Sequence, residues 1–221
     1  MTTVKLAFLL DCTASMGEWI QTAKTKIVEI VGNVLHEHND ADIQVGLIGY
    51  RDYNDEQRFV IHDFTTPDVI RQVLGTIDAQ GGDDEAEDVA HALQQCMGLA
   101  WEDADVRMVF HITDAPAHGL AFHKPYVSDH YPEGDPEGLD PRVTLRMMST
   151  TGFTYTFVKI TSATDTMLDA FYNSWTGPSV FQVIDLSPQR LGRQSASEAF
   201  SQEVSRVVSC SIDPRTFSRD T

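Results

Sequence analysis

The stretch VKLAFLLDCTASMG, residues 4–17, decides how the rest of the sequence is interpreted. Its first seven residues are apolar apart from Lys5, a pattern typical of a strand buried on both faces of a sheet. Three oxygen-bearing side chains, Asp11, Thr13 and Ser15, follow at alternate positions where the strand should end. Such a stretch can hold a metal ion or supply a nucleophile. It can also simply turn the chain, with Ser15 as the N-cap of the next helix.

The segments that follow alternate between strand and helix patterns. Residues 43–50 and 106–113 form two further apolar runs, and helical periodicity separates the strands. The stretch RFVIHDF, residues 58–64, alternates apolar and polar residues and predicts a half-exposed edge strand. We therefore expect parallel crossovers and a three-layer αβα sandwich with a Rossmann-like sheet.

Two less regular regions qualify this outline. A helix is predicted from about residue 84 to residue 101, with acidic residues crowding its first turn. Residues 115–141 show no periodicity and predict a long loop, a kind of segment that is usually functional or disordered. The sequence predicts a single domain over residues 1–212 and a C-terminal tail over residues 213–221.

Composition narrows the class of partner. The 221 residues carry a formal net charge of −17, which repels nucleic acid and anionic membrane surfaces. No run of 18 apolar residues and no secretory leader is recognisable, and the three cysteines form no C-x-x-C pair. We therefore expect a cytoplasmic protein that binds neither nucleic acid nor membrane.

Acidic side chains follow other predicted strands and loops. Asp114 comes directly after the strand at residues 106–113, and Asp83 and Asp84 follow the Gly81-Gly82 pair. Because ligands bind outside the carboxyl ends of the strands in such sheets, these residues can converge with the loop that contains Asp11. Hydroxyl and carboxylate oxygens suit a hard cation such as Mg²⁺ or Mn²⁺.

Two enzyme classes are alternatives to this metal hypothesis. The stretch TASMG resembles a G-x-S-x-G nucleophile elbow, with Asp114 and His118 downstream as an acid and a base, but Thr13 stands where the strained turn needs glycine. An aspartyl-nucleophile phosphatase needs a second acid two residues after Asp11, and Thr13 occupies that position as well. Both hypotheses fail at Thr13.

Taken together, the motifs resemble a known family. The stretch FLLDCTASM is similar to the D-x-S-x-S opening of the metal-ion-dependent adhesion site of von Willebrand factor type A domains, in particular those of the alpha-kinase-associated group. The supporting stretches occur in the same order along the chain: LDCTASM, VGLIGYRDY, HDFTT, GGDDEAEDVAHAL, ITDAPAHG and DHYPEGDPEG.

The resemblance implies a mostly parallel six-stranded sheet with one antiparallel edge strand and a divalent cation at its top. By analogy Thr13 and Ser15 bind the metal directly, and Asp11 and Asp114 act largely through water. Many members have a threonine in the loop that runs from Gly81 to the next helix (the third loop), where this chain offers Asp83 or Asp84; Asp83 is preferred for its place next to Gly82. The implied ion is Mg²⁺, with Mn²⁺ or Ca²⁺ as alternatives and Zn²⁺ disfavoured.

The resemblance also implies a function. In adhesion members of the family, an acidic side chain of a partner protein completes the metal coordination. The expectation is a divalent-cation-dependent protein-binding module without catalytic activity. The alternatives are a metal-dependent hydrolase or phosphatase that uses the Asp11/Ser15 loop, and a metal-free scaffold.

Other polar residues near these loops have smaller predicted roles. Arg51 and Asp52 are predicted to form an ion pair or loop anchor, and with His118 and His123 they are candidates for a partner-binding rim. The long loop also contains Asp129 and His130, but the histidine spacing matches no standard zinc pattern.

Overall fold

The computed structural model describes residues 1–213, so most of the predicted tail at 213–221 lies outside the described residues. The strands are β1 (Thr2–Asp11), β2 (Ala41–Tyr50), β3 (Phe59–Thr65), β4 (Val106–Thr113), β5 (Phe153–Lys159) and β6 (Phe181–Asp185). The helices are α1 (Gly17–Glu37), α2 (Pro67–Leu74), α3 (Val89–Met97), α4 (Pro141–Thr150), α5 (Asp165–Ser174), α6 (Pro188–Leu191) and α7 (Ala196–Ile212). Short 3₁₀ turns at Ala14–Met16 and Ser162–Thr164 precede α1 and α5.

The six strands form one sheet in the order β3-β2-β1-β4-β5-β6. Every neighbouring pair is parallel except β2 and β3, which are antiparallel. The predicted fold class is confirmed, including the edge strand that the alternating RFVIHDF stretch indicated and its antiparallel direction, which the family resemblance implied.

Helices cover both faces of the sheet because β1 is apolar on both of its sides. Leu6, Phe8 and Leu10 pack with helices α1, α2 and α7 on one face. Ala7 and Leu9 pack with α3, α4 and α5 on the other face. The continuous apolar run, read from the sequence as a doubly buried strand, therefore lies at the centre of three layers.

The chain order places a crevice between β1 and β4. From β1 the chain continues to β2 on one side of the sheet and reaches β4 on the other side only later. Open α/β sheets bind ligands at such a topological switch point, outside the carboxyl ends of the strands. Asp11 ends β1 and Asp114 follows β4, so both residues lie at this crevice.

The helix predicted over residues 84–101 is shorter than expected and begins at Val89. The Asp88 side chain accepts a hydrogen bond from the His91 backbone N–H at 3.2 Å and so caps the helix at that point. The acidic residues before it belong to a loop, which corrects their interpretation as first-turn helix residues.

The long connection from β4 to α4 contains neither helix nor extended strand over residues 114–140. A single parallel bridge joins Ala117 to Glu87. Within residues 1–213, no helix has the length and apolar character required to span a membrane.

Candidate metal centre

Asp11 holds the loop after β1 in place through both of its carboxylate oxygens. Its Oδ1 accepts hydrogen bonds from the backbone N–H of Thr13 at 2.9 Å and from the Thr13 hydroxyl at 2.7 Å. Its Oδ2 accepts from the Thr113 hydroxyl of the neighbouring strand β4 at 3.0 Å. The side chain is fully buried, so Asp11 orients the hydroxyl of Thr13 and links the two strand ends.

Ser15 bridges the crevice on the exposed side of Asp11. Its hydroxyl donates to Asp114 Oδ1 at 3.1 Å and lies 3.4 Å from the hydroxyl oxygen of Thr13. Ser15 lies inside the 3₁₀ turn Ala14–Met16, and neither this turn nor α1 has a side-chain cap. The alternative in which Ser15 serves as an N-cap is therefore wrong for this loop.

The third loop reaches the crevice through residues other than Asp83. Asp83 is exposed and does not line the cavity above the sheet, whereas Asp84 and Glu87 do. A side chain added at Gly82 would begin 3.5 Å from Glu87 Oε1 and 3.6 Å from Thr13 Cβ. These are ordinary contact distances, so glycine is favoured here by its φ of 85° rather than by lack of space, and Glu87 is the acid of this loop that lies on the Thr13 side.

The cavity over these three loops has a volume of about 270 Å³. It is lined by residues of the first loop (Thr13, Ala14, Ser15), the third loop (Gly81, Gly82, Asp84, Glu85, Glu87), the β4 end (Asp114, Ala115, Pro116), and by Val127 and Ala163. Residues after β1, before α3 and after β4 thus share one opening.

Carboxylates dominate the electrostatics of this opening. Burial and the charge of Asp114 raise the pKa of Asp11 to about 7, and burial raises the pKa of Asp114. Burial, followed by the charge of Asp11, raises the pKa of Glu87 to about 11. Glu87 is 2% exposed, and its Oε2 has no hydrogen-bond donor among the described residues. A bound cation would compensate these charges.

Arg51 supports the site as a loop anchor, one of its two predicted roles. Its buried guanidinium donates to the backbone carbonyls of Cys12 at 3.1 Å, Gln57 at 2.5 Å and Asp78 at 2.8 Å. The predicted ion pair with Asp52 is absent from the contacts of the described chain, because all three donating nitrogens face backbone oxygens. Arg51 thereby ties the loop after β1 to its neighbours.

Asp52 instead belongs to a histidine network beneath the long loop. His118 Nε2 donates to Asp52 Oδ1 at 2.7 Å, and His118 Nδ1 donates to Asp129 at 2.8 Å. Asp129 also accepts from His123 Nε2 at 2.8 Å. Although burial lowers it, the hydrogen bonds to Asp52 and Asp129 raise the pKa of His118 to about 8, so the ring carries charge at neutral pH.

These contacts correct two expectations. Arg51, Asp52, His118 and His123 are only 1–4% exposed, so they do not form an exposed partner-binding rim. The hydrolase alternative requires His118 as a base for Ser15, but both ring nitrogens of His118 face the carboxylates of Asp52 and Asp129. The arrangement therefore lacks the hydrogen bond between nucleophile and base that nucleophilic catalysis needs.

A second network fixes the far end of the long loop. His91 Nδ1 lies 2.9 Å from Asp88 and 3.3 Å from Asp135, and Arg58 pairs with Asp88 at 2.6 Å. The Tyr53 hydroxyl donates to Asp135 at 2.5 Å. Residues 114–140 are therefore held over the sheet by buried polar contacts.

Glu87 is the site residue that the sequence interpretation missed. The sequence pattern places Glu87 in a predicted helix, because acidic residues are common in first turns. The signal that could have placed it in the loop is Asp88, a strong N-cap residue directly before the apolar V-A-H-A-L stretch.

Comparison with known proteins agrees with this architecture. The profile of the von Willebrand factor A domain family matches residues 5–125. The alpha-protein kinase vwkA of Dictyostelium discoideum is 36% identical over 139 residues, which cover 62% of this chain and 22% of that protein. The chain therefore spans about a fifth of the length of this relative.

Two kinds of solved structure share the fold at low sequence identity. The pilus adhesin SpaC from Lactobacillus rhamnosus GG superimposes with a TM-score of 0.61 and 12% identity, covering 94% of this chain and 31% of the adhesin. The SpRpn10 VWA domain superimposes with a TM-score of 0.59 and 10% identity, covering 91% of this chain and 95% of that domain. At these identities the likeness concerns the fold alone.

The matched profile covers more than half of the chain, and the sheet order and the helices on both faces agree with it. The chain belongs to the von Willebrand factor A domain family.

Proposed function

We propose that this chain is a protein-binding module whose partner is held through a divalent cation, and that the module has no catalytic activity of its own. VWA domains typically bind proteins, and membership of this family supports that part of the proposal. The main support for a cation is the hydrogen bond from Ser15 to Asp114 across the β1/β4 crevice, with the Thr13 hydroxyl 3.4 Å from the Ser15 hydroxyl.

The residues present suit a hard cation. The donors at the crevice are hydroxyl and carboxylate oxygens, with no sulfur or imidazole among the residues that line the cavity. The buried carboxylate of Glu87 has an oxygen without a donor. Its Oε1 lies 3.5 Å from the position of a Cβ added at Gly82, and that position is 3.6 Å from Thr13 Cβ of the first loop. A cation there would offset the mutual repulsion of Asp11, Asp114 and Glu87.

In this proposal Thr13 and Ser15 bind the ion directly, while Asp11 and Asp114 orient the hydroxyls and hold water. Glu87 replaces Asp83 as the acid of the third loop, since Asp83 does not face the cavity. Mg²⁺ is the proposed ion, and Mn²⁺ or Ca²⁺ would suit the same oxygens. The ion supplies a coordination position that a carboxylate of the partner completes.

The strongly acidic chain supports a protein partner rather than nucleic acid or an anionic membrane. A cytoplasmic location is proposed with it, supported by the buried free thiols of Cys12 and Cys96. Burial raises the pKa of the Cys12 thiol to about 12, so this residue next to the metal loop stays a protonated thiol.

The test is a Mg²⁺ titration of the chelator-stripped chain, followed by capture of binding proteins in Mg²⁺ and in chelator. We expect Ser15→Ala to weaken Mg²⁺ binding by about 10-fold or more and to abolish Mg²⁺-dependent capture. Thr25→Ala, a change on the exposed side of α1, should behave as wild type. Capture that survives in chelator, or in the Ser15 variant, would support the metal-free scaffold instead.

A further inference from the structure

Three groups of acidic and histidine side chains bring their ligand atoms within 4.8 Å of one another. They are Asp88 with His91 and Asp135, Asp84 with His118 and Asp129, and Asp52 with Asp84 and His130. Closeness alone does not make a metal site, because such groups also form ordinary hydrogen-bond networks. A metal ligand also needs a buried oxygen or nitrogen atom that no hydrogen-bond donor or cation already satisfies.

The first group already has a positively charged partner, Arg58. Arg58 pairs with Asp88 at 2.6 Å, and its second nitrogen lies 3.5 Å from Glu137. His91 Nδ1 lies 2.9 Å from Asp88 Oδ1. A guanidinium beside the carboxylates supplies the positive charge that a metal ion would supply, so this group is an ion-pair network.

The second group is saturated by hydrogen bonds. Asp129 Oδ1 accepts from His118 and from the Tyr131 backbone, and its Oδ2 accepts from His123 and from the Gly119 backbone. Both nitrogens of His118 face carboxylates. Neither Asp129 nor His118 has a position left for a metal ion.

The third group differs because two of its oxygens have no partner. Asp52 is 2% exposed, and the Asp84 side chain is fully buried. Asp52 Oδ2 and Asp84 Oδ1 receive no hydrogen bond from any described residue. Two buried carboxylates with unused oxygens are costly unless a cation satisfies them.

The remaining contacts fix these carboxylates in place. His118 holds Asp52 through Oδ1 at 2.7 Å, and Asp129 in turn holds His118. The His130 backbone donates to Asp84 Oδ2, and His130 Nδ1 lies 3.3 Å from the same oxygen. No Lys or Arg within residues 1–213 pairs with Asp52 or Asp84.

We propose that Asp52, Asp84 and His130 bind a second metal ion, a transition-metal dication of the Zn²⁺ class, beside the proposed magnesium site. The imidazole favours Zn²⁺ over Mg²⁺ or Ca²⁺, which prefer oxygen ligands alone. The spacing of His118, His123 and His130 gave no zinc pattern because two of the ligands come from other loops.

An ion at this position would connect three segments of the chain. Asp52 lies between β2 and β3, Asp84 lies before α3, and His130 lies in the long loop after β4. The ion would fasten these three segments together at the edge of the cavity that Asp84 also lines. The His130 side chain is 52% exposed, so the ion can enter from solvent.

The test is Zn²⁺ binding to the chelator-stripped chain in excess Mg²⁺, measured by equilibrium dialysis with metal analysis. The measurement is repeated with Co²⁺, whose ligand-field spectrum reports whether an imidazole is bound to the ion. We expect one Zn²⁺ per chain. His130→Ala should weaken binding by about 10-fold or more and change the Co²⁺ spectrum. The exposed His36→Ala is the matched control and should keep wild-type affinity.

Ser15→Ala separates this site from the proposed magnesium site. It should leave Zn²⁺ affinity unchanged, because the Ser15 hydroxyl faces Asp114 and Thr13, which are not ligands of this site. The proposal is overturned if His130→Ala binds Zn²⁺ as tightly as wild type or if no Zn²⁺ binds in excess Mg²⁺. Loss of Zn²⁺ binding on Ser15→Ala would also overturn it, since the ion would then occupy the magnesium site.

Discussion

The Ser15 hydroxyl donates to Asp114 Oδ1 at 3.1 Å and so connects two loops that are 99 residues apart in the chain. This contact spans the crevice where the order of the parallel strands reverses. Asp11, directly beneath it, receives a hydrogen bond from Thr113, the last residue of β4. The two strand ends thus share one hydrogen-bond network, and residues on either side depend on each other.

Asp114→Asn tests the charge at this contact. The amide oxygen can still accept from Ser15, so the loop should keep its shape while the site loses a negative charge. We expect Mg²⁺ affinity to fall by about 10-fold or more, as for other groups that act through the outer coordination shell. Isothermal titration with Mg²⁺ measures the change. Asp169→Asn, on the exposed side of α5, should leave affinity unchanged; equal affinities for both variants would contradict the proposed role of Asp114.

Gly81→Ala tests the close approach of the third loop. Gly81 has a φ of 86°, and an added Cβ would overlap the Asp55 carboxylate. Gly152 has a similar φ of 83° with open space around it, so Gly152→Ala isolates the backbone cost of about 1–2 kcal/mol. We expect Gly81→Ala to lower the free energy of unfolding clearly more than Gly152→Ala in urea titrations. Equal losses would mean that Asp55 moves away without cost.

Arg51→Lys tests whether Arg51 anchors the loop after β1. A lysine ammonium cannot reach three carbonyls in the geometry of a guanidinium, so the partly buried carbonyls of Gln57 and Asp78 would lose donors while the substituted side chain stays buried. We expect a loss of about 2–4 kcal/mol in the free energy of unfolding. The exposed Arg71→Lys should change it by no more than about 0.5 kcal/mol. A similar small change for both variants would contradict the anchoring role.

The fold was predictable from the sequence because its strongest signals are local. The apolar run of β1 and the alternation in β3 each report the burial of their own strand, and the alternation of strands with helices predicts parallel crossovers. The number of strands is implied by the family resemblance. The site was predictable only in part. Asp11 ends β1 and Asp114 follows β4, so their convergence follows from the sheet. For Arg51 the sequence leaves an ion pair and a loop anchor as alternatives and does not indicate its three carbonyl partners.

The third loop shows why the remaining residues of the candidate site could not be predicted from the sequence. Which of Asp83, Asp84 and Glu87 faces the cavity depends on the backbone path at Gly81 and Gly82, where φ is positive and no side-chain period applies. The partners of Asp52 were hidden for a similar reason, since His118 lies 66 residues away in an irregular loop. Contacts between irregular segments follow from tertiary packing and leave no local pattern.

The buried His111 on β4 gives the fold a specific acid sensitivity. Its ring lies 2.8 Å from the Tyr50 hydroxyl and 2.7 Å from the Tyr155 hydroxyl, and burial lowers its pKa from 6.5 to about 3. Between these values the unfolded chain binds a proton that the folded chain does not. The contribution of His111 to stability is therefore present above pH 6.5 and is lost as the pH falls, by up to about 1.4 kcal/mol per pH unit.

His111→Gln keeps a donor and an acceptor for the two tyrosines but removes the titration. We expect the free energy of unfolding, measured in urea between pH 7 and pH 4, to decline less steeply for this variant than for wild type. The variant should be less stable at pH 7, because the amide fills the space between the aromatic rings less well. His36→Ala should retain the wild-type slope, since that side chain is exposed before and after unfolding. If His111→Gln also retains that slope, the folded protein accepts a proton at His111, and the ring is not held neutral by burial between the two tyrosines.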